Sequence, residues 1–268
     1  MRQVRFWYVV LEVLQHLTTA GATVVQLDEP SLSLNLAPET VKAITNAYTK
    51  IHAAFPQLHI VLASYFECYG AHLPAVLALP VQTLHLDLVR CPSQLDDILQ
   101  TDITSSQLQL SLGVVDGRNI WKNDYTRSLV LIQKAISVLG AHRIVLAPSC
   151  SLLHVPCDLD YETAISPEIK NWMAFAKQKL EEVQALREII QGNLALLTAN
   201  EDAFRSRAAS GLIHRKAVKD RVAAFTAADA SRKSTFTVRQ GIQQQHFGLP
   251  LFPPPPLVRS RKPMISGS

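Results

Sequence analysis

The sequence lacks a recognisable disulfide framework. Its four cysteines, Cys68, Cys91, Cys150 and Cys157, fall without paired spacing, a usage that fits a reducing compartment. It also lacks any apolar run long enough to span a bilayer. The opening MRQVRFWYVVLEVLQHL briefly imitates a secretory leader, but Glu12, Gln15 and His16 interrupt it and no small-residue cleavage site follows cleanly. Aromatic residues make up only 7% and do not interleave with a basic patch, as single-strand nucleic-acid binders require. No Gly-x-Ser-x-Gly elbow accompanies Ser149 and Ser151, which argues against a serine nucleophile paired with His154. These absences set aside membrane and nucleic-acid partners and predict a cytoplasmic protein.

What is present is an ample core. The 268 residues are 48% hydrophobic and 18% charged, the balance of a globular protein, and a single α/β barrel is about this long. The net charge of +4 is unevenly placed. Residues 1–192 hold 14 Lys/Arg against 18 Asp/Glu, and residues 193–268 hold 12 against 4. The basic excess therefore belongs to the C-terminal region and says little about the core.

Hydrophobic periodicity predicts a helix over 4–17, a strand TVVQLDEP ending at Pro30, and a helix from Pro38 to about Phe55. Strands follow over 59–66, 83–89, 107–115 and 142–150, separated by helices near 71–79, 93–100 and 126–140. The longest helix is predicted from Ser166-Pro167 to Gly192, with Trp172, Phe175, Leu180, Val183, Leu186 and Ile190 on its buried stripe. Alternating strands and helices mean parallel β/α units. The expected fold class is α/β, a partial (β/α)8 TIM-type barrel of about five parallel strands. The expected domains are that barrel over 1–192, a linker with helical segments over 193–252, and a disordered Pro-rich tail over 253–268.

Each strand delivers polar residues to its C-terminal end, the rim where parallel α/β folds build sites. VVQLDEP raises the question most sharply. A strand apolar on both faces belongs inside a covered sheet, yet this one ends in two carboxylates, either at a solvated terminus or serving a ligand. The rim candidates are Asp28, Glu29, Asp87, Arg90, Asp116, Arg118, Cys150 and His154. Asp116-Gly117-Arg118 could fix an ion pair across the rim or hold a ligand, and the structural ion pair is the preferred reading. Cys150, His154 and Cys157 in CSLLHVPC have spacings suggestive of zinc, but no fourth ligand is evident nearby, so a loop histidine and two free thiols are expected.

Six segments, in order, carry a resemblance: GATVVQLDEPSLSLNL (21–36), LHLDLVR (84–90), SLGVVDGRNIWKND (111–124), IVLAPSCSLLHVPCDLD (144–160), NWMAFAKQKLEEVQAL (171–186) and LPLFP (249–253). From about Leu11 to Pro253 the sequence resembles the amino-terminal half of cobalamin-independent methionine synthase. That family is built from two β/α barrels. The carboxy-terminal barrel holds zinc and homocysteine and performs methyl transfer. The amino-terminal one helps to bind polyglutamylated methyltetrahydrofolate. The resemblance implies the later part of the first barrel plus the interdomain linker, with no catalytic residues and no bound cofactor of its own. It implies inactivity alone, and a complementing catalytic-domain chain as a possible partner. Positions matching the zinc ligands of the catalytic barrel are Ser64 and Phe66, Asp87 with Arg90, and Cys150, a set that cannot complete a four-ligand site. After LPLFP the text becomes PPPPLVRSRKPMISGS and departs from the family, as a truncated or frame-shifted gene would.

Overall fold

A computed structural model describes residues 2–248 and residue 250, with residues 2–7 in backbone only. The chain divides into two compact units, Met1–Ser210 and Gly211–Ser268. The first begins with α1 (Arg2–Thr19) and then alternates: β1 (Val24–Asp28), α2 (Pro38–Ala54), β2 (His59–Ala63), α3 (Leu73–Leu77), β3 (Thr83–Asp87), α4 (Gln94–Leu99), β4 (Gln109–Val115), α5 (Tyr125–Leu139) and β5 (Ile144–Pro148). It closes with α6 (Pro167–Lys170), α7 (Ala176–Ile190) and α8 (Leu194–Ala209).

The five strands form one sheet in the order β1-β2-β3-β4-β5, and every pairing is parallel. Each strand's sheet neighbour is its neighbour in sequence. A doubly wound sheet reverses order at a switch point; this sheet does not, and its sequential order is that of a β/α barrel segment.

Strand alternation explains the layering. In TLHLD of β3, Leu84 and Leu86 point one way and Thr83, His85 and Asp87 the other. Ile60, Leu62, Leu84, Leu86, Leu110 and Leu112 are fully buried and belong to the main apolar cluster, where each contributes roughly 1.5–3 kcal/mol. The opposite face is polar and cross-bonded. His59 Nε2 meets Thr83 Oγ1 at 2.7 Å, Thr83 Oγ1 donates to Gln109 Oε1 at 3.2 Å, and His85 Nδ1 meets Ser111 Oγ at 2.9 Å. Neighbouring strands thus share hydrogen-bonded side-chain pairs as well as a ladder.

Several expectations are corrected. β1 is not a strand covered on both faces. It lies at a sheet edge among the described residues, and Val24 is 57% exposed. The long helix predicted from 167 to 192 is two helices. Trp172 O accepts from Lys122 N, Ala174 N donates to Ile120 O, and Met173 forms an antiparallel bridge with Trp121. Trp172 O and Ala174 N are thus committed to partners far away in sequence, and the i,i−4 ladder does not run through this stretch. Trp172 and Phe175 are buried as expected, but outside the helix, while Leu180 of α7 is 57% exposed.

The compact unit also runs to Ser210, past the boundary expected at 192, because α8 lies against α5 and α7. Asn200 of α8 is buried there. Its Oδ1 accepts from Tyr125 N at 3.1 Å and its Nδ2 donates to Asn123 O at 2.9 Å. The second unit contains α9 (Lys216–Ala223), α10 (Ala227–Ala230) and α11 (Phe236–Phe247), the last ended by Gly248 in the left-handed region. The expected disordered tail, 253–268, lies outside the described residues.

Candidate functional site

The predicted rim residues follow the C-terminal ends of the strands, and their roles divide sharply. Asp87, at the end of β3, is 2% exposed. Its Oδ2 accepts from Phe66 N at 2.9 Å, and its Oδ1 accepts from Arg90 N at 3.0 Å and Val89 N at 3.2 Å. A buried carboxylate satisfied by three backbone donors is an anchor for two loops. Arg90 meets Asp87 through its backbone, and its side chain is exposed.

Above Asp87, Phe66 takes φ of +81°, a conformation that non-glycine residues rarely adopt and that persists only where surrounding contacts hold it. The Phe66 ring lies 4.6 Å beneath the Arg118 guanidinium and 5.6 Å from the His154 ring. Thus Phe66, Arg118 and His154, from the loops after β2, β4 and β5, meet at one point.

Asp116 does not form the expected ion pair with Arg118. Its Oδ1 accepts from Arg118 N at 2.8 Å and its Oδ2 from Asn119 Nδ2 at 2.6 Å, so the carboxylate closes a local turn. Two residues further along that turn, the guanidinium points to the aromatic face instead. Gly117 is required by close approach: a Cβ there would lie 2.9 Å from Cys150 O and 3.0 Å from Cys150 Sγ.

At the end of β1, Asp28 is exposed. Its Oδ1 accepts from Gln26 Nε2 at 2.7 Å and its Oδ2 from Tyr65 OH at 3.0 Å. Glu29 accepts from Ser31 Oγ, and its backbone N–H continues the β1–β2 ladder to Ala63 O. Burial, then the nearby charges of Glu29 and Asp28, push the Tyr48 phenol up.

Cys150 is buried, and burial raises its thiol above the ordinary range despite a hydrogen bond with Ser149 that lowers it. A thiol so placed is a poor nucleophile and a reluctant metal ligand. His154 and Cys157 are exposed, and the structure does not gather them with Cys150 into a ligand cluster among the described residues. The positions matching the family's zinc ligands fit no better. Ser64 Oγ is buried without a hydrogen-bond partner among the described residues, Phe66 offers no donor, and both Asp87 oxygens are engaged. These residues do not fit a zinc ion.

The structure does bring together cysteines that sequence spacing had left apart. Cys68 and Cys91, from the loops after β2 and β3, are disulfide-bonded with Cα atoms 5.5 Å apart, which corrects the expectation of cysteines without a disulfide, while Cys150 and Cys157 are free. Parallel strands one β/α unit apart in sequence end side by side. The relevant proximity is across the sheet, where a local spacing rule cannot see it.

Sequence reading also missed the supports of the rim. Lys179 of α7 is fully buried; its Nζ donates to Trp121 O at 3.0 Å and Asn119 Oδ1 at 3.4 Å. Glu182, one turn on, accepts from Asn123 N at 2.8 Å. Burial lowers the Lys179 ammonium and raises the Glu182 carboxyl. The Arg207 guanidinium covers the Trp121 ring at 4.3 Å. The motifs at 111–124 and 171–186 therefore hold each other, and under them lies a cavity of about 280 Å³ lined in part by Asp116, Asn119, Arg127 and Lys179. The i,i+3 spacing of Lys179 and Glu182 on a helix was the available signal, but surface helices show the same pattern.

His85 is the other unforeseen group. It is buried with Nδ1 on Ser111 Oγ and Nε2 3.1 Å from Ser149 O, and burial lowers its pKa. The unfolded chain then binds an extra proton once pH drops below about 6.5. The stability His85 contributes is full above that pH and is lost as pH falls from the unfolded towards the folded pKa. Urea unfolding is expected to show stability declining between about pH 7 and 5.5 with a slope of up to ~1.4 kcal/mol per pH unit, and His85→Gln should flatten it. A wild-type profile as flat as the variant's would contradict this account.

Residues 3–140, more than half of the chain, match the sequence family described as Cobalamin-independent synthase, N-terminal domain. Over 253 residues the chain is 52% identical to the 5-methyltetrahydropteroyltriglutamate–homocysteine methyltransferase of Flavobacterium johnsoniae, covering 91% of this chain and 33% of that protein. Identity to the enzyme of the same name is 51% in Cytophaga hutchinsonii and 44% in Saccharomyces cerevisiae, in each case over 90% of this chain and 32% of the relative. The chain spans about a third of the length of these curated relatives. A solved B12-independent methionine synthase from Shewanella sp. W3-18-1 superposes with a TM-score of 0.47 at 14% identity, over 71% of this chain and 55% of that one, too remote to inform the site. No helix among the described residues is long and apolar enough to cross a membrane. A family match over more than half the chain, and identity above 40% along nearly all of it, establish that this chain belongs to the cobalamin-independent methionine synthases, through their N-terminal domain.

Proposed function

We propose that this chain is a substrate-holding, non-catalytic part of the machinery that transfers a methyl group from 5-methyltetrahydropteroyltriglutamate to homocysteine. Its relatives carry that pair of substrates in their name. The observation that carries the non-catalytic reading is the occupancy of the rim carboxylates. Asp87 and Asp116 give their oxygens to neighbouring N–H groups, which leaves neither disposed to move a proton or hold a metal. The exposed groups nearby, Arg90 and Arg118, suit a polyanion such as the glutamate tail of the folate. Zinc and the transfer step belong, in this reading, to a complementing catalytic-domain chain. A cytoplasmic setting follows from the substrate, since a polyanionic pteroylpolyglutamate does not cross a bilayer unaided.

Calorimetry with triglutamylated methyltetrahydrofolate at low salt tests the holding role. Saturable heat is expected, with affinity reduced about tenfold in the Arg90→Ala, Arg118→Ala double variant, each exposed ion pair being worth under about 1 kcal/mol. No heat and no thermal shift would discard it in favour of a purely structural module. Homocysteine, the folate and zinc together should give no methionine with the purified chain, and measurable turnover would overturn the non-catalytic reading.

A further inference from the structure

We propose that reduction of the Cys68–Cys91 disulfide opens a binding site for a thiophilic divalent cation, zinc foremost, formed by Cys68 Sγ, Cys91 Sγ and the Glu67 carboxylate. One ligand atom from each of these three residues lies within 4.8 Å of the other two, the only such grouping of His, Cys, Asp and Glu among the described residues. Ligands at about 2.0–2.3 Å from a tetrahedral zinc stand roughly 3.3–3.8 Å apart, so closure needs small side-chain rotations and no backbone movement. The two sulfurs start in bonding contact and need only separate. Glu67 Oε1 already lies 3.7 Å from Cys68 Sγ and accepts from Cys68 N at 3.2 Å.

The backbone that presents these atoms is fixed independently of the sulfur bond. Cys91 N donates to Asp87 O at 3.1 Å. Phe66 N donates to the Asp87 side chain, and the positive φ of Phe66 turns the following residues, Glu67 and Cys68, towards the end of β3. Glu67 is exposed, Cys68 half-buried and Cys91 buried, so the cluster opens to solvent on its carboxylate side. Two thiolates with a carboxylate form a three-ligand set, to which water supplies the fourth position.

The chemistry balances simply. A dithiol or phosphine reductant supplies two electrons, the S–S bond breaks, and two protons from solvent yield two thiols while the reductant is oxidised. Binding of Zn²⁺ then forms two metal–sulfur bonds and returns the two thiol protons to solvent, with a carboxylate oxygen of Glu67 as the third ligand. These three side chains are not the positions that match the family's zinc ligands, although Glu67 and Cys91 directly follow two of them, Phe66 and Arg90, and the site rests on nothing said above about folate or methyl transfer.

Cobalt substitution tests it on the whole chain. Phosphine-reduced, metal-free protein titrated anaerobically with Co²⁺ should show thiolate-to-cobalt charge transfer and tetrahedral d–d bands that saturate at one equivalent and are abolished by Zn²⁺. The oxidised protein should show neither. In competition with a chromophoric chelator, Cys68→Ser and Cys91→Ser should each weaken Zn²⁺ binding at least a hundredfold and Glu67→Gln about tenfold. The Cys150→Ser, Cys157→Ser double variant should bind as the wild type does. Should the single cysteine variants fail to fold, Zn²⁺ must still protect Cys68 and Cys91, and not Cys157, from alkylation in the wild-type chain, read by mass spectrometry. Absence of charge transfer in reduced protein that circular dichroism shows to be folded would overturn the proposal. So would charge transfer that saturates at one equivalent with wild-type intensity in a folded Cys68→Ser or Cys91→Ser variant, or alkylation unaffected by Zn²⁺.

Discussion

Gly113→Ala is expected to abolish cooperative folding of the first unit, or to destabilise it by more than about 4 kcal/mol. β4 lies inside the sheet, and a Cβ at this position would stand 2.7 Å from Leu86 O, 2.8 Å from Ser149 Cα and 2.9 Å from His85 Cε1. Two of those three atoms are backbone, held by the pairing of β3 and β5 to β4, and they cannot rotate away as a side chain can. Overpacking commonly costs 1–3 kcal/mol where neighbours can shift, so a larger loss is expected where they cannot. The register between β4 and β5 shifts just here, between Gly113 and Val115. Gly211→Ala, at a position with open space around it and no positive φ, is the control and should stay within about 0.5 kcal/mol of the wild type. Urea denaturation followed by circular dichroism decides the matter, and equal midpoints for the two variants would refute the steric account.

The second large effect belongs to Asp87. Asp87→Ala leaves the N–H groups of Phe66, Val89 and Arg90 without their acceptor in a buried setting, at a cost of roughly 3–5 kcal/mol. Asp87→Asn keeps one carbonyl oxygen and should cost about 1–2 kcal/mol, because an amide can satisfy only part of the trio. The loss has a local signature beyond stability. Without its tether, Phe66 has no reason to hold a positive φ, and the loop carrying Cys68 should relax away from Cys91. Faster reduction of the disulfide in Asp87→Ala than in Asp87→Asn, at a urea concentration where both are folded, would register it. An Asp87→Ala variant within 1 kcal/mol of the wild type would show that the anchor role is misassigned.

Both predictions concern the inner side of the sheet, where polar side chains of adjacent strands bond to one another. The outer side is conventional, with β-branched and leucine side chains under helices. The inner layer of His59, Thr83, Gln109, His85 and Ser111 holds strand to strand and carries the rim above it. This division makes the rim well supported, with the carboxylates of Asp87 and Asp116 held by neighbouring N–H groups.

Much of this was legible along the chain. The five strands, their parallel direction and the helices between them follow from periodicity, because alternation of period two and stripes of period 3.6 are local properties. That Asp28, Asp87, Asp116 and Cys150 fall at or within two residues of strand ends follows nearly as well, although the third strand stops at Asp87, two residues short of the expected 89. The six ordered motifs carried the family. The rest was decided where segments distant in sequence meet. Whether Asp116 would pair with Arg118 or cap its own turn depended on Phe66 lying under the guanidinium, 52 residues earlier in the chain. The expected helix from 167 broke because Ile120 and Lys122 claimed the backbones of Ala174 and Trp172, and Lys179 became a buried strut because the loop at 119–121 had arrived above it. The Cys68–Cys91 bond joined two strand ends that a whole β/α unit separates in sequence. Element identity rests on the interactions of each residue with its near neighbours, which the sequence by itself determined. The partner of a polar side chain rests on which strand and loop ends coincide in space, and only the packing of the sheet and helices could decide that.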